Sequence, residues 1–269
     1  MFFRASASLV VACLVIPLSF AATEHAANTV LLEELTWTEL RDQIHSGKTT
    51  ILVPIGGTEQ NGPHMVLGKH NVRVKLLSEA IARGLGNALV APVVAYVPEG
   101  SMNPPSGHMR FPGTITLPDA AFAQLLDSAA RSFKAHGFKD IVFLGDHSGY
   151  QSTEKAVADK LDREWAMTPV RVHAIVEYYR LSENDYAQVL KRRGYSEQEI
   201  GTHAGLADTS LALAVDPRLV RMESMQAAPE AAAGVHGDPR RSSAALGQVG
   251  VDLIVARTID AINAATARH

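Results

Sequence analysis

Short apolar runs that alternate with helical patterns are the feature that most limits the folds open to this chain. The runs are rich in β-branched residues and span 51–55, 89–97, 141–144 and 170–176. The segments between them place apolar residues three and four positions apart, which is typical of one-sided helices. Strands that alternate with helices predict βαβ units, and hence a mostly parallel sheet covered on both faces. We therefore expect a single α/β domain without linkers or repeats.

The first 22 residues have the order of a secretory signal peptide. Arg4 precedes an apolar run over 9–20, and alanines follow at positions 21 and 22. A membrane anchor needs about 20 apolar residues, so the shorter run favours cleavage over retention as an anchor. The prediction is a mature domain over residues 23–269, located in the periplasm or secreted, without membrane attachment after cleavage.

Composition narrows the function classes further. The only cysteine, Cys13, lies in the predicted signal peptide, so the mature chain must fold by burial alone, which about 245 residues allow. Without Arg4, 25 − 1 = 24 basic residues stand against 28 acidic ones, and no Lys/Arg block occurs. We therefore expect no nucleic-acid partner. The chain also lacks a G-x-S-x-G elbow, a Walker loop and an H-E-x-x-H helix.

A glycine-rich turn after the first apolar run carries potential metal ligands. The segment GGTEQNGPHMVLGKH, residues 56–70, holds Glu59, Asn61, His64 and His70. Catalytic residues of α/β proteins collect at strand ends, where loops leave a rigid sheet. The structural alternative is a polar surface loop with scattered histidines. For His64 we expect a turn-stabilising role rather than metal ligation.

Two further clusters repeat this combination of histidine and carboxylate. FLGDHSGYQ places Asp146 and His147 at the tip of the third run, and GTHAGLADTS places His203 and Asp208 around a glycine-containing turn. Each has a structural alternative: a helix-entry anchor for Asp146, a turn residue for His203 and a helix N-cap for Asp208. The tips of parallel strands meet at one edge of a sheet, so we expect the three clusters to converge.

A loop over residues 98–116 interrupts the regular alternation. It contains four prolines and three glycines, a composition that predicts a long ordered loop, which is commonly functional. We expect His108 in this loop to wall the substrate pocket. The equal alternative is that the imidazole of His108 lies in a turn on the protein surface.

In the order of the chain, these segments resemble the motifs of the creatininase family of amidohydrolases. ILVPIGGTEQNGPHMVLGKH is similar to P-x-G-S-x-E-Q-H-G-P-H-L-P-L-x-T-D, and GHMRFPGTITL to H-x-x-F-P-G-T. GDHSGYQ resembles N-G-H-G-G-N, HAGLADTS resembles H-A-G-x-x-E-T-S, and GVHGDPRRSSAALG resembles G-V-x-G-D-P-x-x-A-S. The similarity covers almost the whole mature chain, which is thereby identified as an exported, divergent member.

The resemblance implies a three-layer α/β/α fold and a pair of divalent metal ions, with a bridging water that attacks an amide-type carbonyl. It assigns ligand roles to Glu59 and His147, and to Asp208 in place of a longer glutamate. Two positions depart from the family pattern. Asn61 occupies the position of a histidine, and His70 occupies the position of the aspartate that bridges the two ions.

These departures predict one metal ion rather than two. Two divalent ions carry four positive charges, whereas Glu59, His70 and His147 supply a single negative charge, which Asp208 raises only to two. We therefore expect one tightly held ion bound by Glu59, His70 and His147, with Asp208 as a fourth ligand and water in the open position. Two histidines and a glutamate form a known catalytic zinc set, so zinc is expected, with manganese or iron as alternatives.

Other residues are assigned to substrate and proton handling. Asn61 keeps a weak metal contact or donates a hydrogen bond to the substrate, which His108 helps to enclose. Asp146 orients His147 or acts as a base. We expect His203 to be the general acid that protonates the leaving nitrogen, because a histidine titrates in the neutral range.

The sequence therefore predicts an exported metal-dependent hydrolase that acts on a small amide, a cyclic amide or a related carbonyl C–N bond through a metal-bound water. A lactone or a peptide is the alternative substrate. The rival outside the enzyme class is a degenerate family member that binds a small ligand or serves as an assembly subunit. Relatives often form hexamers, so the resemblance also implies a homo-oligomer.

Overall fold

The computed structural model describes residues 29–226 and 233–267. The predicted signal peptide over 1–22 lies outside these residues, so it stays a prediction. Within the described ranges, no helix is long and apolar enough to cross a membrane.

Four parallel strands form the central sheet. They are β1 (Thr50–Ile55), β2 (Ala88–Val90), β3 (Asp140–Gly145) and β4 (Arg171–Ala174), arranged in the order β2-β1-β3-β4 with every neighbouring pair parallel. The two central strands pair along their full length, from Thr50 opposite Asp140 to Ile55 opposite Gly145. The sheet confirms the predicted α/β class.

The second strand is shorter than the apolar run over 89–97 predicts. Regular pairing ends at Val90, and only an isolated bridge joins Val94 to Ile55. Pro92 lies between these points, and it has no backbone N–H to donate to a ladder. The chain therefore leaves the sheet there and passes towards the loop over 98–116.

Ten α-helices surround the sheet within the described residues. In chain order they are α1 (Trp37–His45), α2 (Lys69–Leu85), α3 (Asp119–Ala135), α4 (Gln151–Glu164), α5 (Val176–Arg180), α6 (Tyr186–Arg192), α7 (Glu197–Ile200), α8 (Leu206–Val215), α9 (Met222–Met225) and α10 (Ala244–Thr266). A π-helical turn, Leu181–Asp185, joins α5 to α6. Short 3-10 turns cover Leu32–Glu34, Gly107–Arg110, Ser148–Tyr150, Pro217–Leu219 and Pro239–Arg241.

The helices form one layer on each face of the sheet. Successive strand side chains point to opposite faces, so Ile51 and Phe143 pack with Phe122 of α3 and Leu161 of α4. On the other face, Leu52 packs with residues of α2 and α10. The apolar members of this second core include Val74, Leu77 and Ile81 of α2, Val142 and Leu144 of β3, and Ile254 and Ile262 of α10. This arrangement is the three-layer α/β/α fold.

The bounds of α2 determine part of the candidate site. The helix begins directly after Gly68, so its first turn carries Lys69, His70 and Arg73, all of which are buried. It ends at Leu85, and the next residue, Gly86, has a φ of 78°, the left-handed conformation that glycine adopts without steric cost. Because α2 packs against β1, its N-terminus lies beside the loop that follows this strand.

A third apolar cluster supports the loops that leave the sheet. Its buried members include Met65, Ala204, Ala212, Leu219 and Val235. They come from the loop after β1, from both sides of α8 and from the segment before α10. This packing joins segments that are far apart in sequence around one edge of the domain.

Candidate metal centre and active-site pocket

Glu59 lies at the centre of the candidate site. The loop after β1 positions this glutamate, and its side chain is fully buried. Its Oε1 accepts a hydrogen bond from His70 Nε2 at 2.7 Å, whereas its Oε2 lies 3.0 Å from His108 Nε2 and 3.5 Å from His147 Nε2 without a hydrogen bond. Burial favours the neutral acid, but the hydrogen bond and charge of His70 outweigh it and hold the pKa of Glu59 well below its ordinary value. The carboxylate is therefore ionised, with one oxygen held and one free.

A second buried carboxylate, Glu99, comes from the proline-rich loop. Its backbone N–H donates to Thr116 Oγ1 at 2.9 Å, which fixes the start of the loop. Neither carboxylate oxygen has a hydrogen-bond partner, although the side chain is only 3% exposed. Burial and the negative charge of Glu59 raise the pKa of Glu99 to about 9. A buried acid without a partner is costly, so this pair of carboxylates requires an explanation.

Two histidines complete the cluster around these carboxylates. His147 follows β3, and His108 lies in the 3-10 turn Gly107–Arg110; their ring centroids are 5.6 Å apart. Burial lowers the pKa of His147 to about 3 and lowers the pKa of His108. Both imidazoles are therefore neutral at physiological pH, as a metal ligand must be.

The four residues Glu59, Glu99, His108 and His147 form a candidate metal site. Each offers one ligand atom, and these atoms all lie within 4.8 Å of one another. The unpaired oxygens and neutral imidazoles fit a divalent ion, because carboxylate and imidazole are ligands that zinc and manganese accept. A bound cation would also account for the buried oxygens without partners. The structure thus brings the predicted ligands Glu59 and His147 together.

His70, also predicted as a ligand, lies beside this cluster and outside it. Its Nε2 contacts Glu59 Oε1 at 2.7 Å and its Nδ1 contacts Asp146 Oδ2 at 2.6 Å, so both ring nitrogens face carboxylates. Burial and the charge of Lys69 lower the pKa of His70, but the hydrogen bonds to Asp146 and Glu59 outweigh them and raise it overall. Both ring nitrogens thus contact carboxylates, and through Nε2 His70 orients Glu59.

Asp146 contacts His70 rather than His147, the residue that the sequence predicts it to orient. It accepts hydrogen bonds from Arg73 Nε at 2.9 Å and from the Tyr178 hydroxyl at 2.9 Å. Burial opposes ionisation, but the charge of Arg73 and the hydrogen bond of His70 keep the pKa of Asp146 below its ordinary value. Both carboxylate oxygens of Asp146 are therefore occupied. The ionised carboxylate of Asp146 positions His70.

Asp208, the predicted fourth ligand, also lies outside the four-residue cluster. Lys69 Nζ donates to its Oδ2 at 2.6 Å and Arg73 Nη1 donates to its Oδ1 at 2.7 Å. Burial disfavours the charge, but Lys69 and Arg73 hold the pKa of Asp208 well below its ordinary value. The helix-cap alternative also differs from the structure, because α8 begins at Leu206 after Gly205. Asp208 instead neutralises two buried cations.

His203, the predicted general acid, lies next to the cluster. Its ring centroid is 4.7 Å from that of His108, and its Nδ1 is 3.9 Å from Glu59 Oε1. The Gln60 side-chain nitrogen contacts both His203 Nε2 at 3.0 Å and His108 Nδ1 at 3.1 Å, and so joins the two rings. Burial and the charge of Lys69 lower the pKa of His203 to about 4. The ring is thus neutral and must accept a proton before it can donate one.

Asn61 and His64 are the remaining candidate residues of the first loop. Asn61 is fully buried, and its Nδ2 donates to the Glu59 carbonyl at 2.9 Å and the Val66 carbonyl at 3.2 Å. Its Oδ1 has no hydrogen-bond partner, and Asn61 does not line the cavity beside the cluster. A weak metal contact through Oδ1 therefore stays a prediction. His64 Nε2 contacts Thr209 Oγ1 at 2.9 Å, in keeping with a turn-stabilising role.

Tyr150 joins the two strand ends that carry the site. Its buried hydroxyl lies 2.9 Å from the Ile55 carbonyl and 2.5 Å from the Gly56 carbonyl, and it accepts a hydrogen bond from the Asp146 backbone N–H at 3.1 Å. The loops after β1 and β3 are therefore tied to each other below Glu59.

A cavity of about 270 Å³ opens next to the cluster. Its lining residues are Gln60, Lys69, His70, Arg73, Gly107, His108, Arg110, Phe111, Asp146, His147, Ser148, Tyr179, Glu183, Thr202, His203, Asp208, Gly234 and His236. The predicted residues His108, His147 and His203 thus share one pocket of a size suited to a small molecule.

Several residues of the metal cluster and of the cavity were not predicted from the sequence. Glu99 and Arg73 lie outside the quoted motifs, whereas Gln60 and Lys69 lie in the first motif at positions to which no role was assigned. One signal was present for the first of them, because Glu99 is the only acidic residue between 98 and 116. A single carboxylate in a loop that also carries a candidate histidine is a potential metal ligand.

Comparison with known proteins identifies relatives over most of the chain. The family model of creatininase, described as creatinine amidohydrolase, matches residues 33–262. The creatinine amidohydrolase of Pseudomonas putida is 25% identical over 76% of this chain and 79% of its own length. The mycofactocin precursor peptide peptidase of Mycolicibacterium smegmatis is 29% identical over 77% of this chain and 81% of its own length.

Solved creatininase structures share the fold. A crystal structure of creatinine amidohydrolase superimposes with a TM-score of 0.75 at 25% identity, covering 90% of this chain and 100% of the other. One creatininase variant is named as a Zn-Zn type, with a TM-score of 0.73 at 25% identity over 89% of this chain and 99% of the other.

Proposed function

Because this chain belongs to the creatininase family, we propose that it is an amidohydrolase that uses one divalent metal ion to hydrolyse a C–N bond in a small amide or cyclic amide. The observation that carries the proposal is the pair of buried carboxylates, Glu59 and Glu99, whose unpaired oxygens face the neutral imidazoles of His108 and His147. These four side chains would hold the ion. Zinc is the first candidate, since these ligand types suit it.

A divalent ion at this position supplies Lewis-acid polarisation of a carbonyl group and increases the acidity of water. The protein contributes the orientation of the ligands. His70 fixes Glu59 through Oε1, and Asp146 holds His70 through the opposite ring nitrogen. This chain of hydrogen bonds leaves Glu59 Oε2 directed at the cluster. Preorganised ligands of this kind lower the cost of binding.

His203 is positioned for proton transfer at the same site. Its neutral ring lies against His108, within 3.9 Å of Glu59. A neutral imidazole first accepts a proton from the attacking water and then donates it to the leaving nitrogen. His203 would in this way act as base and acid in turn, and the proton gained in the first step is consumed in the second.

We propose one ion rather than a pair because of the charges on the far side of Glu59. The position of the family's bridging aspartate holds His70, whose two nitrogens are occupied. Lys69 and Arg73, both buried cations, lie behind it. Asn61 turns its amide nitrogen to backbone carbonyls. The carboxylates of Asp208 and Asp146 are engaged by these two cations, so a second dication would find no free carboxylate there to balance its charge.

Metal content tests the proposed site directly. Purified protein incubated with zinc and desalted should retain about one equivalent by mass spectrometric metal analysis. His147→Ala and Glu99→Gln should lower the retained zinc, whereas His136→Ala, a change to an exposed histidine at the end of α3, should not. Zinc below about half an equivalent in the unaltered protein, or equal zinc in all variants, contradicts the site.

Turnover distinguishes an enzyme from a family member without catalytic activity. Zinc-loaded protein should release product from at least one member of a panel of cyclic amides and small linear amides, and EDTA should abolish the release. A peptide is the second candidate substrate, favoured by the 29% identical relative that is named a peptide peptidase, so dipeptides and a lactone belong in the panel. Full zinc occupancy without turnover on any member would favour a small-ligand-binding or assembly subunit.

Export and assembly are part of the proposal. Residues 1–22 carry the charge, apolar run and small residues of a signal peptide, so we expect the cleaved protein in the periplasm or the medium, which cell fractionation and N-terminal sequencing would test.

For the homo-oligomer, exposed apolar side chains such as Trp37, Tyr96 and Met222 offer contact surface. Light scattering coupled to size-exclusion chromatography would test it, and a monomer would contradict it.

A further inference from the structure

Arg110 stands at the wall of the cavity without a carboxylate partner. It is the last residue of the 3-10 turn Gly107–Arg110, two positions after His108, and its side chain is exposed. Its Nε donates to the Gly107 carbonyl at 3.3 Å, which leaves the two terminal nitrogens of the guanidinium without an ion pair among the described residues. The element that carries a candidate metal ligand thus also carries a cation at the wall of the cavity.

The other cations that line the cavity are already neutralised. Lys69 Nζ lies 2.6 Å from Asp208, and Arg73 lies 2.7 Å from Asp208 and 2.8 Å from Asp146. Their charges therefore hold the structure together and are not free for a ligand. Within the part of the chain that the structure describes, Arg110 is the cavity cation left for a bound molecule.

One further acidic side chain, Glu183, faces the same cavity. It lies in the π-helical turn Leu181–Asp185, a type of bulge that is frequent at functional sites. Burial and the negative charge of Asp208 raise the pKa of Glu183. Its environment thus disfavours the carboxylate form, so Glu183 opposes an anionic ligand less than a solvated glutamate would.

We propose that Arg110 binds a carboxylate of the substrate, so that the substrate class is a small amide carrying a carboxylate a few bonds from the scissile C–N bond. This inference rests on the proposed function. A guanidinium presents two parallel N–H donors that match the two oxygens of a carboxylate. With the carboxylate on Arg110, the amide of a short molecule can reach His108, because both residues line the same cavity.

Binding of two matched probes to zinc-loaded protein tests the assignment. Succinamate carries an amide and a carboxylate, whereas succinamide is its neutral counterpart; titration calorimetry would measure both. We expect succinamate to bind the unaltered protein more tightly than succinamide. Arg110→Gln should weaken succinamate about 10-fold or more and leave succinamide unchanged. Arg110→Lys should recover part of the affinity, since the charge is kept and the two-pronged geometry is lost.

Arg163→Gln is the matched control, because Arg163 is an exposed arginine on α4 outside the cavity lining. It should bind both probes like the unaltered protein. The inference is overturned if the unaltered protein does not prefer succinamate, or if Arg110→Gln keeps that preference. Zinc content measured on the same samples distinguishes this failure from failure of the proposed function, because one bound equivalent without a charge preference leaves the hydrolase proposal standing.

Discussion

The buried acid Glu99 makes the stability of the metal-free protein depend on pH in a predictable way. The pKa of this side chain is about 9 in the folded state, against an ordinary value of 4.5. The raised value means that the folded chain holds a proton that the unfolded chain has lost. The stabilisation is therefore complete below pH 4.5 and disappears as the pH rises towards 9.

The size of the effect follows from proton linkage. Between these two pKa values, the folded state binds one proton more than the unfolded state through this group, so the free energy of unfolding falls by about 1.4 kcal/mol per pH unit. Glu99→Gln has nearly the same shape and does not titrate. From pH 7 to pH 8, the variant should gain about 1.4 kcal/mol relative to the unaltered protein. Histidines that also titrate in this range are common to both proteins and cancel in the difference.

Urea unfolding in the presence of EDTA, followed by the fluorescence of the buried Trp165, would measure these free energies at both pH values. Glu154→Gln supplies a matched control, because burial raises the pKa of Glu154 well above its ordinary value and this residue lies outside the metal cluster. Glu154→Gln should reduce the pH dependence in a similar way.

Added zinc then distinguishes the contribution of Glu99 to the pH dependence from that of Glu154. A bound ion displaces the proton of Glu99, so one equivalent of zinc should remove the contribution of this group and leave that of Glu154. The reasoning is refuted if Glu99→Gln unfolds with the same pH dependence as the unaltered protein in EDTA. It is equally refuted if zinc leaves the pH dependence of the unaltered protein unchanged.

Three other substitutions test separate parts of the structure. Asp208→Asn leaves the buried charge of Lys69 without its partner and should cost about 3–5 kcal/mol in urea unfolding; a variant that loses its zinc without losing stability would contradict the structural role of Asp208. His203→Ala should lower kcat by about 10²- to 10⁴-fold at unchanged zinc content, and full activity would exclude its part in proton transfer. Gly247→Ala introduces a Cβ only 1.8 Å from the Ser210 carbonyl, so it should force α10 away from α8 and cost about 1–3 kcal/mol; an unchanged melting curve would show that this contact yields freely.

The fold could be predicted from the sequence because its signals are local. Apolar runs such as 51–55 and 141–144 became the two central strands, and the spacing of Val74, Leu77 and Ile81 marked the buried face of α2. Period and burial are properties of neighbouring residues, so no knowledge of distant contacts was needed. The end of β2 was not predicted, because the apolar run continues to residue 97, whereas regular pairing ends at Val90, before Pro92.

The site could be predicted only in part because its chemistry depends on contacts between distant segments. The motifs located Glu59 and His147, which meet in the candidate cluster. The motif position of His70 gave no indication that Asp146 and Glu59 would occupy both of its nitrogens. Glu99 was missed for the opposite reason, since it belongs to an irregular loop whose course is set by tertiary contacts.

The proline-rich loop places an unusual constraint on how this protein can evolve. Glu99 and His108 belong to the candidate metal site, and Arg110 lines the cavity, so one segment of the chain contributes to both. In many enzymes, a lineage acquires new substrates by exchanging a loop while the catalytic groups stay on the scaffold. Here an exchanged or shortened loop would discard two candidate ligands together with Arg110, the proposed carboxylate-binding group. Diversification in this lineage is therefore expected to proceed by single replacements within the loop, at positions between its fixed residues.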